Sequence, residues 1–389
     1  MMFLSNSKRE SKDLDFVFVM NGIYIKGSGG TRILNALVSE LENLGYKVGV
    51  LILDRKPWLD FLERDKKISR NKISLMMLRL NDTRLGYYVL NPIFKKIVKS
   101  PDDGKLRADK LIFSKKQFLH FSVKFLIATN FINGAEVINM RTKTTKILFS
   151  QIDESDQIYA GSYTRIAMEV YSKFRNRLFL NHEMLRKFPG SRITTVGINH
   201  SVFNIKIDIG DRKPTKVVFI LRPGEQKDPY TAIAAMRLLH AQDENIELSA
   251  FGTLQPNLVP SFIRYHYRPT NTEISELLNQ NSIFVMTSTV EGTPAPPLEA
   301  MACGCAVVST DCAGIGEYLE DGFNGLLAPI KQQNVIAEKV SLLIFDSKLR
   351  LFIAKNGIET SHKYTYKKMT LNFIDAIRNF EKDEVPNDT

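Results

Sequence analysis

Short apolar runs alternating with helix-like stretches constrain this chain more than any other feature. FVFVMNG (residues 16–22) is a buried-strand pattern closed by Asn-Gly. The loop IYIKGSGG follows it. An amphipathic stretch over Thr31–Leu44 comes next, stopped by Gly45 just past its end. VGVLILD (48–54) is the next strand, so the three pieces form a βαβ unit with a parallel sheet. FLIATNF, within residues 124–132, and KILFSQ (146–151) read as further strands. GINHSVFNIKIDIGDRKP (197–214) is irregular and ends in a proline, which marks a boundary. A second series then begins: KVVFILR (216–222), TAIAAMRLLH (231–240), NIELSAFG (245–252), SIFVMTS (282–288) and AVVSTD (306–311). Two α/β domains joined by a hinge is the expected architecture, and 389 residues suit two domains of moderate size.

Several function classes are excluded or narrowed by composition. No run of about 18 apolar residues is present, so no membrane-spanning helix is expected. MMFLSNSKRESKDLD lacks the apolar core of a signal peptide. Cys303, Cys305 and Cys312 fall close together with no partners elsewhere, which suits small core fillers in a reducing cytoplasm better than a disulfide framework. Charge is unevenly spread. Residues 55–146 hold 21 Lys+Arg against 8 Asp+Glu, a net of +13, whereas the whole chain carries +11. Within that block PIFKKIVK (92–99) and KLIFSKKQFLHFSVKF (110–125) interleave cations with aromatic and aliphatic residues. Such a block can lie on an anionic membrane surface, or it can be a solvated basic face over an ordinary core. Nucleic acid is not an expected partner, because no binding module accompanies the charge.

Three places carry chemistry. GSGGTR (27–32) joins a strand to a helix, where backbone N–H groups and the helix dipole favour an anion. It is neither a Walker loop nor a GxGxxG fingerprint, since Arg32 stands where the third glycine belongs. A tight turn alone would also explain it. In KVVFILRPGEQKDPY, Arg222 and Lys227 sit at the carboxyl end of a strand, the edge where open parallel sheets bind ligands. They can clamp phosphate oxygens, or they can be two solvated surface cations.

EGTPAPPLEAMACG (291–304) adds Glu291 at that same edge, with Pro296 and Pro297 leading into a helix over Leu298–Cys303 and Glu299 in its first turn. The N–H groups of Gly292, Thr293 and Ala295 would form an anion nest. A carboxylate beside a nest suits a ligand with both hydroxyls and phosphates. The competing reading is a capping acid and an unrelated surface acid. Asp13-Leu14-Asp15 precedes the first strand and reads as a solvated edge, not a metal motif; no metal site is expected. His120 and His182 read as structural or surface residues, Trp58 as core, and Glu317 as a charge complementing a helix dipole.

E-x7-E followed by AMACG, then STDCAGIGEYLEDGFNGLLAP, resembles the retaining nucleotide-sugar glycosyltransferases of family 4, glycosyl transferases group 1. GSGGTRILNALVSELENLGYKVGV resembles that family's first βαβ unit, and VGINHSVFN its domain boundary, with Asn199 where Asp is commoner. ILRPGEQKD resembles its diphosphate clamp, with Asp228 in place of the usual glycine. The resemblance is strong over about residues 196–330, moderate over 16–54 and nearly absent over 55–145.

It implies an α/β fold of two Rossmann-like domains facing across a cleft (GT-B), with the C-terminal helix crossing back to the first domain. The implied division is 1–196, an acceptor-side domain; 197–365, a nucleotide-sugar domain; and 366–389, the returning helix. Arg222 and Lys227 would neutralise the donor diphosphate, and Glu299 would bind the ribose. Glu291 would contact the donor sugar and stabilise its oxocarbenium-like transition state. Gly29 and Gly30 would approach the diphosphate, joined by Gly292 and Thr293 of the nest. Gln151, near Asp153, would stand where relatives carry a histidine on the donor sugar. The implied activity is a metal-independent, retaining transfer from a nucleoside-diphosphate sugar, as co-substrate, to a glycan or lipid-linked acceptor at the cytoplasmic membrane face. A catalytically silent module that binds a glycan or partner enzyme is the alternative.

Overall fold

The computed structural model describes residues 13–21, 29–53, 110–112, 118–154 and 164–384. The described residues fall into two compact units. One runs to Ser150 and includes Glu169–Arg177; the other holds Gln151–Met168 and the chain from Leu178 onward. The first series of elements is β1 (Asp13–Asn21), α1 (Gly29–Asn43), β2 (Val48–Leu53), β3 (Lys110–Ile112), β4 (Ser122–Ala128), α2 (Phe131–Asn139), β5 (Thr145–Ser150), α3 (Thr164–Lys173), β6 (Asn176–Phe179), α4 (His182–Lys187) and β7 (Arg192–Ile193). They make a seven-stranded sheet of order β3-β2-β1-β4-β5-β6-β7. β1 pairs parallel with both β2 and β4, with Phe16 opposite Val48 and Phe125.

The second series is β8 (Lys216–Leu221), α5 (Pro229–Gln242), β9 (Glu247–Gly252), β10 (Arg264–Tyr267), α6 (Asn271–Gln280), β11 (Ile283–Met286), α7 (Ala295–Ala302), β12 (Ala306–Thr310), β13 (Leu326–Ala328), α8 (Gln333–Phe345), α9 (Ser347–Ser361) and α10 (Tyr366–Glu384). Its six strands are all parallel, in the order β10-β9-β8-β11-β12-β13. β8 has β9 on one side and β11 on the other, so the strand order reverses between β8 and β11. A crevice opens at the carboxyl ends of strands at such a point, and ligands bind there in open α/β sheets.

The apolar runs do what their composition dictates. Val217, Phe219 and Leu221 of β8 pack with Val285, Val308, Met236, Leu239, Val340 and Ile353 in one core between the sheet and its helices. Val218 and Ile220 point to the other face and are buried there too, as a sheet covered on both sides requires. All three cysteines are free and buried, and burial pushes each thiol up to about 12, which makes them inert core fillers. Gly45 takes φ +87° and its N–H closes on the Glu42 carbonyl, so α1 is stopped by Gly45 as expected, with Asn43 and not Leu44 as its last residue.

The C-terminal helix packs beside β7, within the second compact unit. Thr194 donates to the Met369 carbonyl at 3.4 Å, Asn372 Nδ2 donates to Thr195 Oγ1 at 3.0 Å, and Arg192 of β7 lies 5.6 Å over the Phe380 ring. Most of the basic block, with Trp58, PIFKKIVK and the loop positions Gly27 and Ser28, lies outside the described residues. No helix among the described residues is long and apolar enough to cross a membrane.

Candidate active site

The carboxyl edge of β8 and β11 carries the two segments that leave those strands. β8 ends at Leu221, so Arg222 is the first residue beyond the sheet. The chain then makes a single 3-10 turn over Glu225–Lys227 and enters α5 at Pro229, with Asp228 as its cap. Asp228 adopts left-handed backbone angles (φ +37°, ψ +60°), a conformation that glycine meets without cost and Asp tolerates. It remains there because its carboxylate accepts from Thr231 N at 3.3 Å and Thr231 Oγ1 at 2.7 Å. From the other side, Thr289 N donates to the Gln226 carbonyl at 2.9 Å and Thr287 Oγ1 to the Asp228 carbonyl at 2.8 Å. The two loops are thereby stitched into one surface.

Glu291 is at the centre of that surface. Its Oε1 accepts from Lys227 Nζ at 2.7 Å, Ser288 Oγ at 2.8 Å and Arg222 NH2 at 3.2 Å. The Glu291 side chain is 10 % exposed, against 25 % for Arg222 and 17 % for Lys227. Burial would raise the Glu291 carboxyl, but the two cations and the donated hydrogen bonds outweigh it and hold the group below the usual carboxylate range. Burial lowers the Lys227 ammonium from its ordinary value; Arg222 adds to this and Glu291 opposes it. The cluster therefore holds two cations and one anion in a largely buried setting, a net positive group whose natural complement is a polyanion.

Next to it the backbone comes unusually close to itself. A Cβ on Gly292 would collide with the Gln151 carbonyl, and one on Gly314 (φ +82°) with the Gly292 carbonyl. Asn181 Nδ2 donates to that same Gly292 carbonyl at 3.0 Å, and Thr293 Oγ1 donates to the Leu180 carbonyl at 2.6 Å. Four segments thus meet at Gly292: the one after β5, the one after β6, the Glu291 loop and the one after β12. No hydrogen bond among the described residues uses the N–H of Gly292 or Thr293, two of the three donors of the expected nest.

Residues 204–360 match the family described as glycosyl transferases group 1. This region is a glycosyl transferases group 1 domain. Among curated relatives, N,N'-diacetylbacillosaminyl-diphospho-undecaprenol alpha-1,3-N-acetylgalactosaminyltransferase of Campylobacter jejuni is 39 % identical over 127 residues, 33 % of this chain and 32 % of that protein. The amylovoran biosynthesis glycosyltransferase AmsK of Erwinia amylovora is 29 % identical over 199 residues, 42 % of this chain and 48 % of its own length. The chain thus spans about a third to a half of the length of these relatives.

Two solved structures share the whole architecture. Sucrose-phosphate synthase from Thermosynechococcus elongatus superposes with a TM-score of 0.67 at 13 % identity, covering 95 % of this chain and 100 % of its own. HepE from Anabaena, in complex with UDP-glucose, does so with a TM-score of 0.64 at 14 % identity, covering 94 % and 100 %. The fold is the two-domain GT-B fold.

Set on the group 1 domain, the residues singled out from sequence divide into three groups. Arg222, Lys227 and Glu291 come together, but as one ion cluster, where the sequence suggested two cations awaiting a ligand and a separate acid. Gln151 arrives beside them through its backbone, and Gly292 and Thr293 form the wall between. Glu299 is buried, though in the second turn: α7 begins at Ala295 and takes Pro296 and Pro297 into its first turn, so the expected start at Leu298 is three residues late. Prolines fit there because the first N–H groups of a helix have no helical partner. Gly29 and Gly30 are the first residues of α1, in the first compact unit.

Glu317, expected to complement a helix dipole, accepts from the His182 backbone N–H and lies against its Nδ1, each at 2.7 Å. Asp153, beyond Gln151, pairs with Lys187 at 2.8 Å. Neither contact has a local signal, since the partners are 135 and 34 residues apart.

Proposed function

We propose that this protein is a retaining glycosyltransferase that moves a sugar from a nucleoside-diphosphate sugar to a glycan or lipid-linked acceptor, in the biosynthesis of a cell-surface polysaccharide or glycoconjugate. The observation that carries the reading is the Arg222–Lys227–Glu291 cluster at the switch point of a group 1 domain. The names of the Campylobacter and Erwinia relatives, an undecaprenol-diphosphate sugar transferase and an amylovoran enzyme, support the acceptor class.

The donor diphosphate docks on Arg222, Lys227 and the N–H groups of Gly292 and Thr293, which neutralise the charge that grows on the leaving group. No metal is required, because side-chain cations and backbone donors supply that charge. Glu299 takes the ribose hydroxyls. Glu291 faces the sugar as its anomeric carbon becomes cationic, and Gln151 lines the same wall. Retention follows a front-face attack in which the departing phosphate accepts the acceptor's proton, so that positioning and electrostatics dominate over acid–base chemistry. Residues 197–365 hold the nucleotide. The basic block places the enzyme at the inner membrane face, where such acceptors reside.

The test is a thermal-shift panel of UDP, GDP, dTDP, ADP and CMP in EDTA, repeated with Arg222→Ala and Lys227→Ala. A ligand specific for the folded state raises the melting temperature by mass action. One nucleoside diphosphate should stabilise the wild type without metal, and each variant should bind it about 10- to 100-fold more weakly, as loss of a charged hydrogen bond implies. No shift with any nucleotide would favour a silent module instead.

A further inference from the structure

His182 and Glu317 take no part in holding the diphosphate, yet they are joined more firmly than a surface pair needs to be. Glu317 closes the one-turn 3-10 helix Ile315–Glu317 that follows β12, and His182 is the first residue of α4. One carboxylate oxygen accepts the His182 backbone N–H and the other meets Nδ1, both at 2.7 Å. The carboxylate is 17 % exposed and the imidazole 63 % exposed. Capping explains only half of this arrangement: Asn181 Oδ1 accepts from Met184 N at 3.0 Å and Glu317 takes the free His182 N–H, which leaves the contact with Nδ1 unaccounted for. A core histidine would bury its ring, and this one presents it. What the grip does achieve is orientation. An ionised carboxylate only accepts, so in the neutral ring Nδ1 carries the proton and Nε2 is left as an acceptor.

The ring is also delivered to a particular place. Asn181, its neighbour, holds the Gly292 carbonyl, and Thr293 holds the Leu180 carbonyl. Gly314, three residues before Glu317, abuts the same Gly292. His182 is therefore fixed on the loop cluster that carries Glu291, and all of these residues belong to one compact unit.

We propose that His182 Nε2 accepts a hydrogen bond from a hydroxyl of the transferred sugar, and that Glu317 is the positioning residue that fixes its tautomer and direction. The assignment rests on the donor-site reading above, with Glu291 on the sugar's anomeric side and His182 on its rim.

The experiment compares affinities by titration calorimetry on the full chain. UDP-glucose, UDP-N-acetylgalactosamine, GDP-mannose and dTDP-rhamnose are each measured against the free diphosphate of the same base. In the wild type one nucleotide sugar should bind more tightly than its diphosphate. His182→Ala should lose that sugar-dependent gain, about tenfold for one hydrogen bond, while the diphosphate affinity stays within about twofold. His182→Gln should restore part of it, because an amide oxygen can accept in place of Nε2, and Glu317→Gln should lose part of it. Equal effects on sugar nucleotide and diphosphate, no effect on either, or a wild type without any sugar-dependent gain would overturn the proposal and leave the diphosphate site standing. A lowered melting temperature in His182→Ala with the gain intact would assign the pair to the fold. A wild type that binds none of the seven ligands would remove the donor-site reading and this inference with it.

Discussion

Glu291 has three donors on one oxygen, so its removal unbalances more than its own contacts. Glu291→Gln keeps the shape but leaves Arg222 and Lys227 without their counterion. Stripping one member from a buried ion group is strongly destabilising; with two partly exposed cations the expected cost is on the order of 2–3 kcal/mol. An incoming diphosphate then becomes the only counter-charge. The variant should therefore bind a nucleoside diphosphate at least as tightly as wild type while losing transfer by about a hundredfold or more. Equal loss of binding and transfer would make Glu291 a structural residue.

The pH dependence has a definite sign. The folded carboxyl is held below its unfolded value of about 4.3, so its contribution is complete above that pH and is lost as pH falls through the folded value. Denaturant melts should show the gap between wild type and Glu291→Gln constant from pH 7 to about 5 and shrinking only below about 4.

Asp228 offers a second residue-scale test, since strain and cap oppose each other. Asp228→Ala keeps the left-handed backbone and deletes the cap, for a loss of about 1–2 kcal/mol. Asp228→Gly deletes the cap but relieves the backbone, so urea midpoints should place it closer to wild type. Equal midpoints for the two variants would mean that the left-handed conformation costs nothing here.

Elements explain which parts of this site could be read from sequence. Strands β1, β2, β8, β9, β11 and β12 announce themselves as apolar runs, and the residues just beyond their carboxyl ends, Arg222 and Glu291, could be placed without a structure. β10 (RYHY) is polar and β13 spans three residues, so neither carries a pattern. α2 begins at Phe131, inside a stretch that reads as strand, because Asn130 and Asn133 close a capping box there that outweighs the apolar run. α7 starts three residues before the expected Leu298 because Pro296 and Pro297 fit its first turn, where no helical N–H partner is lost. The His182–Glu317 pair and the Gln151–Gly292 approach were not legible at all, since they depend on loops after different strands arriving together.

That arrival gives a prediction at the element scale. Gly292→Ala must push the Gln151 carbonyl and the segment after β5 away from the Glu291 loop. It should abolish transfer and lower stability by roughly 1–3 kcal/mol, the range for overpacking. Gly316→Ala, where an added Cβ meets nothing within 4 Å, is the control and should leave stability near wild type. A Gly292→Ala protein with wild-type melting temperature and activity would show that these loops yield easily.

At the scale of the whole molecule the charge is as informative as the fold. The two sheets and their helices account for the fold, yet the excess charge sits in residues 55–146, which carry +13 while the rest of the chain sums to about −2. A transferase acting on soluble glycans gains nothing from such polarity. One that meets lipid-linked acceptors gains residence at their surface, because each cation near an anionic bilayer contributes about 1 kcal/mol and the attraction fades beyond a Debye length. Pelleting with vesicles containing about a third phosphatidylglycerol should therefore be strong at low salt and fall steeply between about 0.05 and 0.5 M as the Debye length contracts. Replacing Lys95, Lys96, Lys99, Lys115 and Lys116 by glutamine should abolish it while nucleotide binding stays at the wild-type level. Pelleting indifferent to both salt and lipid charge would mean that apolar surface, not the basic block, holds the protein there. Absence of pelleting at low salt would return the block to the role of a solvated face.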